Sequence, residues 1–314
     1  MKILMFGRGV ISTLYGWAFA NAGHEVEYFV RPARLKQYGE TVDVEIYDAR
    51  SKRAKKQVVE ALPTKLITTL DDNHDFDLII VSVSHHSFAA VAQYLAPRLG
   101  NATLLIFNNF WEEPLKAARD FPADQVVWGF PQAGGGFPNG KLRGLLMGAV
   151  MFGSFNQTLN IREIETRRLF EQVGFKISEQ VDMRGWLLVH FIFNGGMHIE
   201  QILAASGATV FEHAKHRENV ILNSRELLPL LKARGVDFKL HRSEIAMMKL
   251  PIWVGSGLLW AAWKFYKPLK IMVESHSNPQ DVLTTCEVLL EYAKDQNIET
   301  PRLERAVKMG RELG

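Results

Sequence analysis

The spacing of apolar positions changes character near residue 180. Before it, short apolar runs alternate with stretches of helical spacing. Ile3–Phe6, His24–Val30, Val42–Tyr47, Leu78–Ser82, Leu104–Phe107, Val126–Trp128 and Leu145–Phe152 read as strands. This alternation predicts an α/β fold whose N-terminal part, residues 1–180, is a Rossmann-like, mostly parallel sheet with crossover helices. After Val181 the spacing is helical over about Gly185–Ala205, Arg217–Arg234, His241–Met248 and Pro279–Gln296. Thr300-Pro301 is placed to open a final helix. Residues 181–314 are therefore expected to form an all-helical domain for substrate binding or dimerisation, with a ligand cleft between the two domains.

A length of 314 residues with 47% hydrophobic content is enough for two cores. The net charge of +3 is small and gathers into no stripe, which argues against a nucleic-acid partner and suits an anionic small molecule. A single cysteine, Cys286, excludes an internal disulfide and suits a reducing, cytoplasmic compartment. Met1 leads directly into the first strand, so no signal peptide is expected. The longest apolar stretch, Leu250 to Trp263, is too short to span a bilayer and contains Pro251, Gly255 and Gly257. It reads as a buried helix, a substrate wall or a subunit contact, with no membrane partner expected and a homodimer open.

The chemistry begins at the first turn. Gly7-Arg8-Gly9-Val10-Ile11-Ser12 follows the first strand and opens a helical run. That strand, glycine turn and helix order holds a dinucleotide: Gly7 permits the turn, Gly9 admits the pyrophosphate to the helix N-terminus, and Ser12 replaces the third glycine. The second strand ends at Arg31, where an acidic residue would bind the ribose of NAD. A guanidinium there can instead grip a 2′-phosphate, so NADP (as NADPH) is the expected cofactor. Solvated loop cations are the plainer alternative for Arg31, Arg34 and Lys36.

With these residues the chain resembles the ketopantoate reductase family, within the 6-phosphogluconate-dehydrogenase-like superfamily. The likeness covers nearly the whole sequence. It rests on Gly7-Arg8-Gly9, Phe29-Val30-Arg31 with the segment to Gly39, Val81-Ser82-Val83, and Phe107-Asn108-Asn109-Phe110. It implies that Val83 lines the cofactor and that Asn108 lies beside the nicotinamide, its amide fixing cofactor or substrate carbonyl. A left-handed turn at Asn108-Asn109 is the alternative.

The family's first long C-domain helix carries a tryptophan, a lysine two residues on that donates a proton to the substrate carbonyl, and asparagines at four-residue steps. Aligning on Trp186 puts Leu188 and Ile192 at the first two of those functional positions, and neither can serve. A shift of two residues gives His190, Asn194 and His198, spaced by four and so on one helix face. Histidine titrates near neutrality, so His190 is the candidate proton donor, Asn194 the carbonyl or carboxylate partner, and His198 a contact for the far end of the substrate. Satisfied core histidines are the plain alternative. A metal is not expected, since His190 and His198 are two turns apart and no HExxH pattern occurs.

Counting back from Ile298-Glu299-Thr300-Pro301 places Asp281 near a glutamate that lines the family's cleft, after the polar stretch Glu274-Ser275-His276-Ser277. A helix-start acid is the other reading of Asp281. Trp111, Phe191, Phe193, Trp253, Trp260 and Trp263 hint at a bulkier carbonyl than ketopantoate, Trp111 as a substrate-binding residue, and Gly129–Phe137 at a flexible flap. Beside the carbonyl reductase stand two other readings: a non-catalytic NADP(H)-binding sensor, and an opine-type dehydrogenase that also needs an amine.

Overall fold

A computed structural model describes residues 1–50, 57–204, 207–275 and 279–313. Ala205, His276 and Ser277, named above, lie outside the described residues. The chain divides into two compact units, one formed by Met1–Asn108 with Glu112–Met183, the other by Asn109–Trp111 with Arg184–Gly314.

Along the first unit run β1 (Lys2–Phe6), α1 (Val10–Asn21), β2 (Glu25–Phe29), α2 (Pro32–Leu35), β3 (Thr41–Asp48), β4 (Gln57–Pro63), β5 (Lys65–Ile67), β6 (Leu78–Val81), α3 (Phe88–Leu95), β7 (Thr103–Ile106), α4 (Pro114–Ala117), β8 (Val126–Phe130), β9 (Ala133–Gly136), β10 (Leu142–Leu146), β11 (Ala149–Gly153), α5 (Ile161–Gln172) and β12 (Lys176–Gln180). Eight strands form the main sheet in the order β12-β11-β8-β7-β6-β1-β2-β5. Neighbours in it are parallel except β8 and β11. The central strands β1, β6 and β7 are buried on both faces, as continuous apolar runs require.

A second sheet, β4-β3-β10-β9, was not expected. Its Val42, Val44, Ile46, Leu142 and Leu146 share a core with Leu14, Trp17 and Ala18 of α1 and with the main sheet. Covered by sheet on opposite sides, α1 is buried from Ser12 to Phe19, which accounts for its near-uniform apolar sequence. The run Leu145–Phe152 is two strands, not one, separated at Met147-Gly148. The glycine-rich Gly129–Phe137 is not a flap. Gly134, Gly135 and Gly136 pair antiparallel with Leu145, Gly144 and Arg143, and a Cβ on Gly135 would overlap the Arg143 carbonyl.

The second unit is all-helical: α6 (Met183–Ala204, its first residue belonging to the first unit), α7 (Gly207–Glu212), α8 (Ala214–Ala233), α9 (Arg242–Lys249), α10 (Ile252–Phe265), α11 (Lys267–Ser275), α12 (Pro279–Asp295) and α13 (Pro301–Leu313). Its main core joins Leu188 and Ile192 of α6, Leu227 and Leu231 of α8, Leu289 of α12 and Leu303 of α13. Gly195 and Gly196 let α6 approach its neighbours, since a Cβ there would overlap Leu289 and Ser224. Of the three readings of Leu250–Trp263, the fully buried helix does not hold. Trp253 is 77% exposed and Leu258 53%, while Trp263 stacks on Phe211.

Candidate cofactor and active site

In the first unit the turn after β1 has the geometry that the glycines were expected to provide. Gly7 has φ +104°, a conformation side chains disfavour, and its N–H donates to the Phe29 carbonyl at the end of β2. Gly9 precedes α1 in extended geometry, with no side-chain cap and no acid in the first turn. The leading N–H groups of α1 are thus left for an anion. A Cβ at Gly7 or Gly9 would meet nothing within 4 Å, so the space over the turn is open. Val10 and Ile11 pack inward against the core, leaving their backbone to the turn, and Ser12 is buried. Close helix-to-strand packing depends on a glycine that the sequence reading passed over: a Cβ on Gly16 would overlap the Tyr28 hydroxyl.

Two guanidiniums flank this turn. Phe6 pairs with Phe29 in parallel register, so Arg8 and Arg31 each lie two residues beyond paired positions at the same end of the sheet. Arg31 is exposed, preceding α2. Arg8 lies over the Tyr38 ring at 4.0 Å, and its Nε and Nη1 are buried without a hydrogen-bond partner. Burial lowers the Arg8 pKa from its ordinary value, yet a guanidinium stays charged at neutral pH. Open glycines, free helix N–H groups and an unsatisfied guanidinium together fit a phosphate-bearing dinucleotide. Tyr38 was missed because it lies nine residues past β2, where local pattern carries no signal.

Asn108 is 2% exposed, and its amide is engaged. Its Nδ2 donates to the Val83 carbonyl at 2.6 Å, and its Oδ1 accepts from the Val83 N–H at 3.2 Å. The side chain thus extends the β6–β7 pairing past its last residues and fixes Val83 in place. The left-handed alternative for Asn108-Asn109 does not hold, because neither residue has positive φ.

In the second unit α6 is continuous from Met183 to Ala204, so His190, Asn194 and His198 share one face. All three are half-buried, whereas Leu188 and Ile192 are fully enclosed in the core. A two-residue shift rotates a helix position by about 200°. The Trp186-aligned positions therefore face the core, and the shifted positions lie on the accessible side. The His190 ring stacks on Trp186 at 5.0 Å, and burial pushes its pKa down to about 4. Near neutral pH the ring is therefore neutral and can offer an N–H hydrogen bond.

Asp281 occupies the first turn of α12, and its carbonyl accepts from Thr285 Oγ1 at 2.7 Å. A carboxylate there favours the helix N-terminus. Trp111 is 5% exposed, enclosed by Phe191, Tyr292 and the Arg234 guanidinium. It packs the second unit's core and offers no open wall to substrate. Phe191 and Trp263 are also core, while Trp253 and Trp260 are exposed, so the aromatics expected to shape a bulky pocket are dispersed. Among the described residues no cluster of three or more His, Cys, Asp or Glu could hold a metal ion.

Residues 3–157 match the family model described as Ketopantoate reductase PanE/ApbA. No curated protein sequence matches the chain. Among solved structures, D-mandelate dehydrogenase with NADH and anilino(oxo)acetate is similar with TM-score 0.70 at 14% identity, covering 99% of this chain and 97% of that one. The 2-dehydropantoate 2-reductase of Geobacter metallireducens GS-15 gives 0.69 at 14% identity, with 100% of both chains covered. The PanE/ApbA family ketopantoate reductase of Ralstonia eutropha JMP134 gives 0.69 at 16% identity, covering 99% and 98%.

Proposed function

We propose that this chain, whose residues 3–157 match the ketopantoate reductase family, is an NADPH-dependent reductase of a 2-oxo acid or related carbonyl. One observation carries the reading: α6 turns Leu188 and Ile192 into its core and keeps His190, Asn194 and His198 on its accessible face.

When bound, the nicotinamide cofactor supplies the hydride. The N–H groups at the start of α1 and the open glycines hold its pyrophosphate, and Arg8 and Arg31 hold the 2′-phosphate that distinguishes NADPH from NADH. Asn108 keeps Val83 in register, where Val83 would line the bound cofactor. Negative charge develops on the carbonyl oxygen as the hydride arrives. Neutral His190 donates its N–H to that oxygen, Asn194 holds the adjacent carboxylate, and His198 meets the far end of the substrate. Since burial keeps His190 from becoming imidazolium near pH 7, the proton that completes the alcohol is drawn from water.

The test is NADPH oxidation by the purified protein with a panel of ketopantoate and aryl 2-oxo acids, beside the His190→Ala variant. Turnover that falls 100-fold or more in the variant, at unchanged NADPH affinity, is the expected result. Tight NADPH binding without turnover of any 2-oxo acid would favour a sensor, and turnover that demands an added amine would favour the opine-type reaction. For the cofactor, Arg8→Gln should weaken NADPH roughly ten-fold or more and NADH far less, read by fluorescence titration. Equal loss for both cofactors would place Arg8 on the pyrophosphate instead.

A further inference from the structure

The largest departure from ordinary surface chemistry lies outside the candidate site, on α10. At about 100° per residue, its inward arc is Gly255, Leu259, Trp263 and Ser256. Gly255 fits against Ile221, Trp263 stacks on Phe211, and the Ser256 carbonyl accepts from Arg217. The outward arc carries Trp260, Trp253, Lys264, Gly257, Ala261, Val254, Phe265 and Leu258. Only Lys264 among these is polar. Trp253 is 77% exposed, Phe265 73%, Leu258 53% and Trp260 43%. A helix that is apolar all round is ordinarily enclosed, and contiguous exposed apolar surface marks an interaction site.

Charge identifies the partner. From Ile245 to Val273 the chain has four lysines, Lys249, Lys264, Lys267 and Lys270, and no acidic residue. Lys264 Nζ lies 4.8 Å from the Trp260 ring centroid and 5.4 Å from that of Phe265, and Lys270 Nζ lies 5.3 Å from that of Trp263. Such stems lie along apolar surface while the ammonium reaches outward. Fourteen residues make a helix about 21 Å long, short of the roughly 30 Å hydrocarbon core. The preceding α9 meets α10 at 107°, so the pair forms no straight span. A second copy docked through the same face about a two-fold axis would bring Lys264 toward Lys264, with no carboxylate on the α10 face to answer them. Anionic lipid headgroups answer them directly, with tryptophan and tyrosine at the depth they favour.

We propose that α10 lies in the plane of an anionic membrane surface, its Trp253–Phe265 face among the acyl-chain boundary and Lys264 at the headgroups. The inference is independent of the reductase reading and reverses the expectation of no membrane partner.

The full-length protein should co-sediment with vesicles of phosphatidylcholine containing 30% phosphatidylglycerol and leave pure phosphatidylcholine vesicles in the supernatant. Raising salt should release it. Trp253→Ser/Phe265→Ser should lose vesicle binding by 10-fold or more, with an unchanged circular dichroism melting curve and unchanged NADPH binding. Lys264→Gln should weaken it about five-fold. Absence of sedimentation with either vesicle overturns the proposal, as does binding to both alike. A dimer dissociated by Trp253→Ser, without vesicle binding, would assign the face to a second copy.

Discussion

Unfolding free energy should fall by up to about 3 kcal/mol on account of one side chain as pH is lowered from 7 to 4, and His190→Phe should remove that part of the slope. The folded protein holds the His190 imidazole neutral, its pKa pushed down to about 4 from an ordinary 6.5 by burial. In the unfolded chain the same ring takes up a proton near pH 6.5. Between these values the unfolded state binds more protons, so acid favours unfolding. The contribution is complete above about pH 6.5 and is lost as the pH falls toward 4. Carboxylates titrate in the same range, so the quantity to measure is the difference between wild type and variant. Urea unfolding at pH 7 and pH 4.5 supplies it. Parallel pH dependence of the two proteins would mean that the ring is hydrated when folded. The same neutrality bears on catalysis: activity should show no loss with a pKa near 6.5 attributable to this residue.

The second large effect is expected at Glu200, which the sequence reading left unremarked although it lies two residues past His198. The side chain is 1% exposed. His216 Nδ1 lies 2.6 Å from its Oε1, Asn219 donates to Oε1 at 3.0 Å, and Asn223 donates to Oε2 at 3.2 Å. Arg302 of α13 then donates to the Asn223 Oδ1 at 3.2 Å. One carboxylate thereby gathers α6 and α8 and reaches α13 through an amide. Glu200→Ala would strand these donors in a closed interior and should cost about 3 kcal/mol or more. Glu200→Gln keeps an acceptor and should cost less. Denaturation midpoints of the two variants decide it, and a loss under about 1 kcal/mol for the alanine would show that water replaces the carboxylate.

What could be read from the chain followed the range over which its residues act. The turn at Gly7–Gly9 and the cation at Arg31 were legible because strand, turn and helix are contiguous there. The polar face of α6 was legible because i and i+4 neighbours are fixed by helix geometry. The second sheet was not. β4 shows six of its seven residues at least partly to solvent, so Gln57–Pro63 carries no apolar alternation, and β9 is three glycines after an alanine. Their strand character comes from pairing with β3 and β10, and those two strands meet each other only across more than ninety residues of chain. Asn108 was legible as a position, but its bonds to Val83 were not, since that partner is 25 residues away. Leu250–Trp263 left three readings open for another reason. A uniformly apolar helix gives no sign of which face is covered, and half of α10 is open.

Asn109–Trp111 belong with the helical unit although the residues on either side of them belong to the other. The chain therefore crosses from one unit to the other before Met183 as well as after it. A polypeptide ended at residue 183 would carry the Trp111 indole without Phe191, Tyr292 or Arg234 to enclose it. The remaining piece would fold around a hole the size of that ring, a defect of about 3–5 kcal/mol. A chain divided at residue 183 is thus expected to give a helical piece less stable than the same residues in the intact protein.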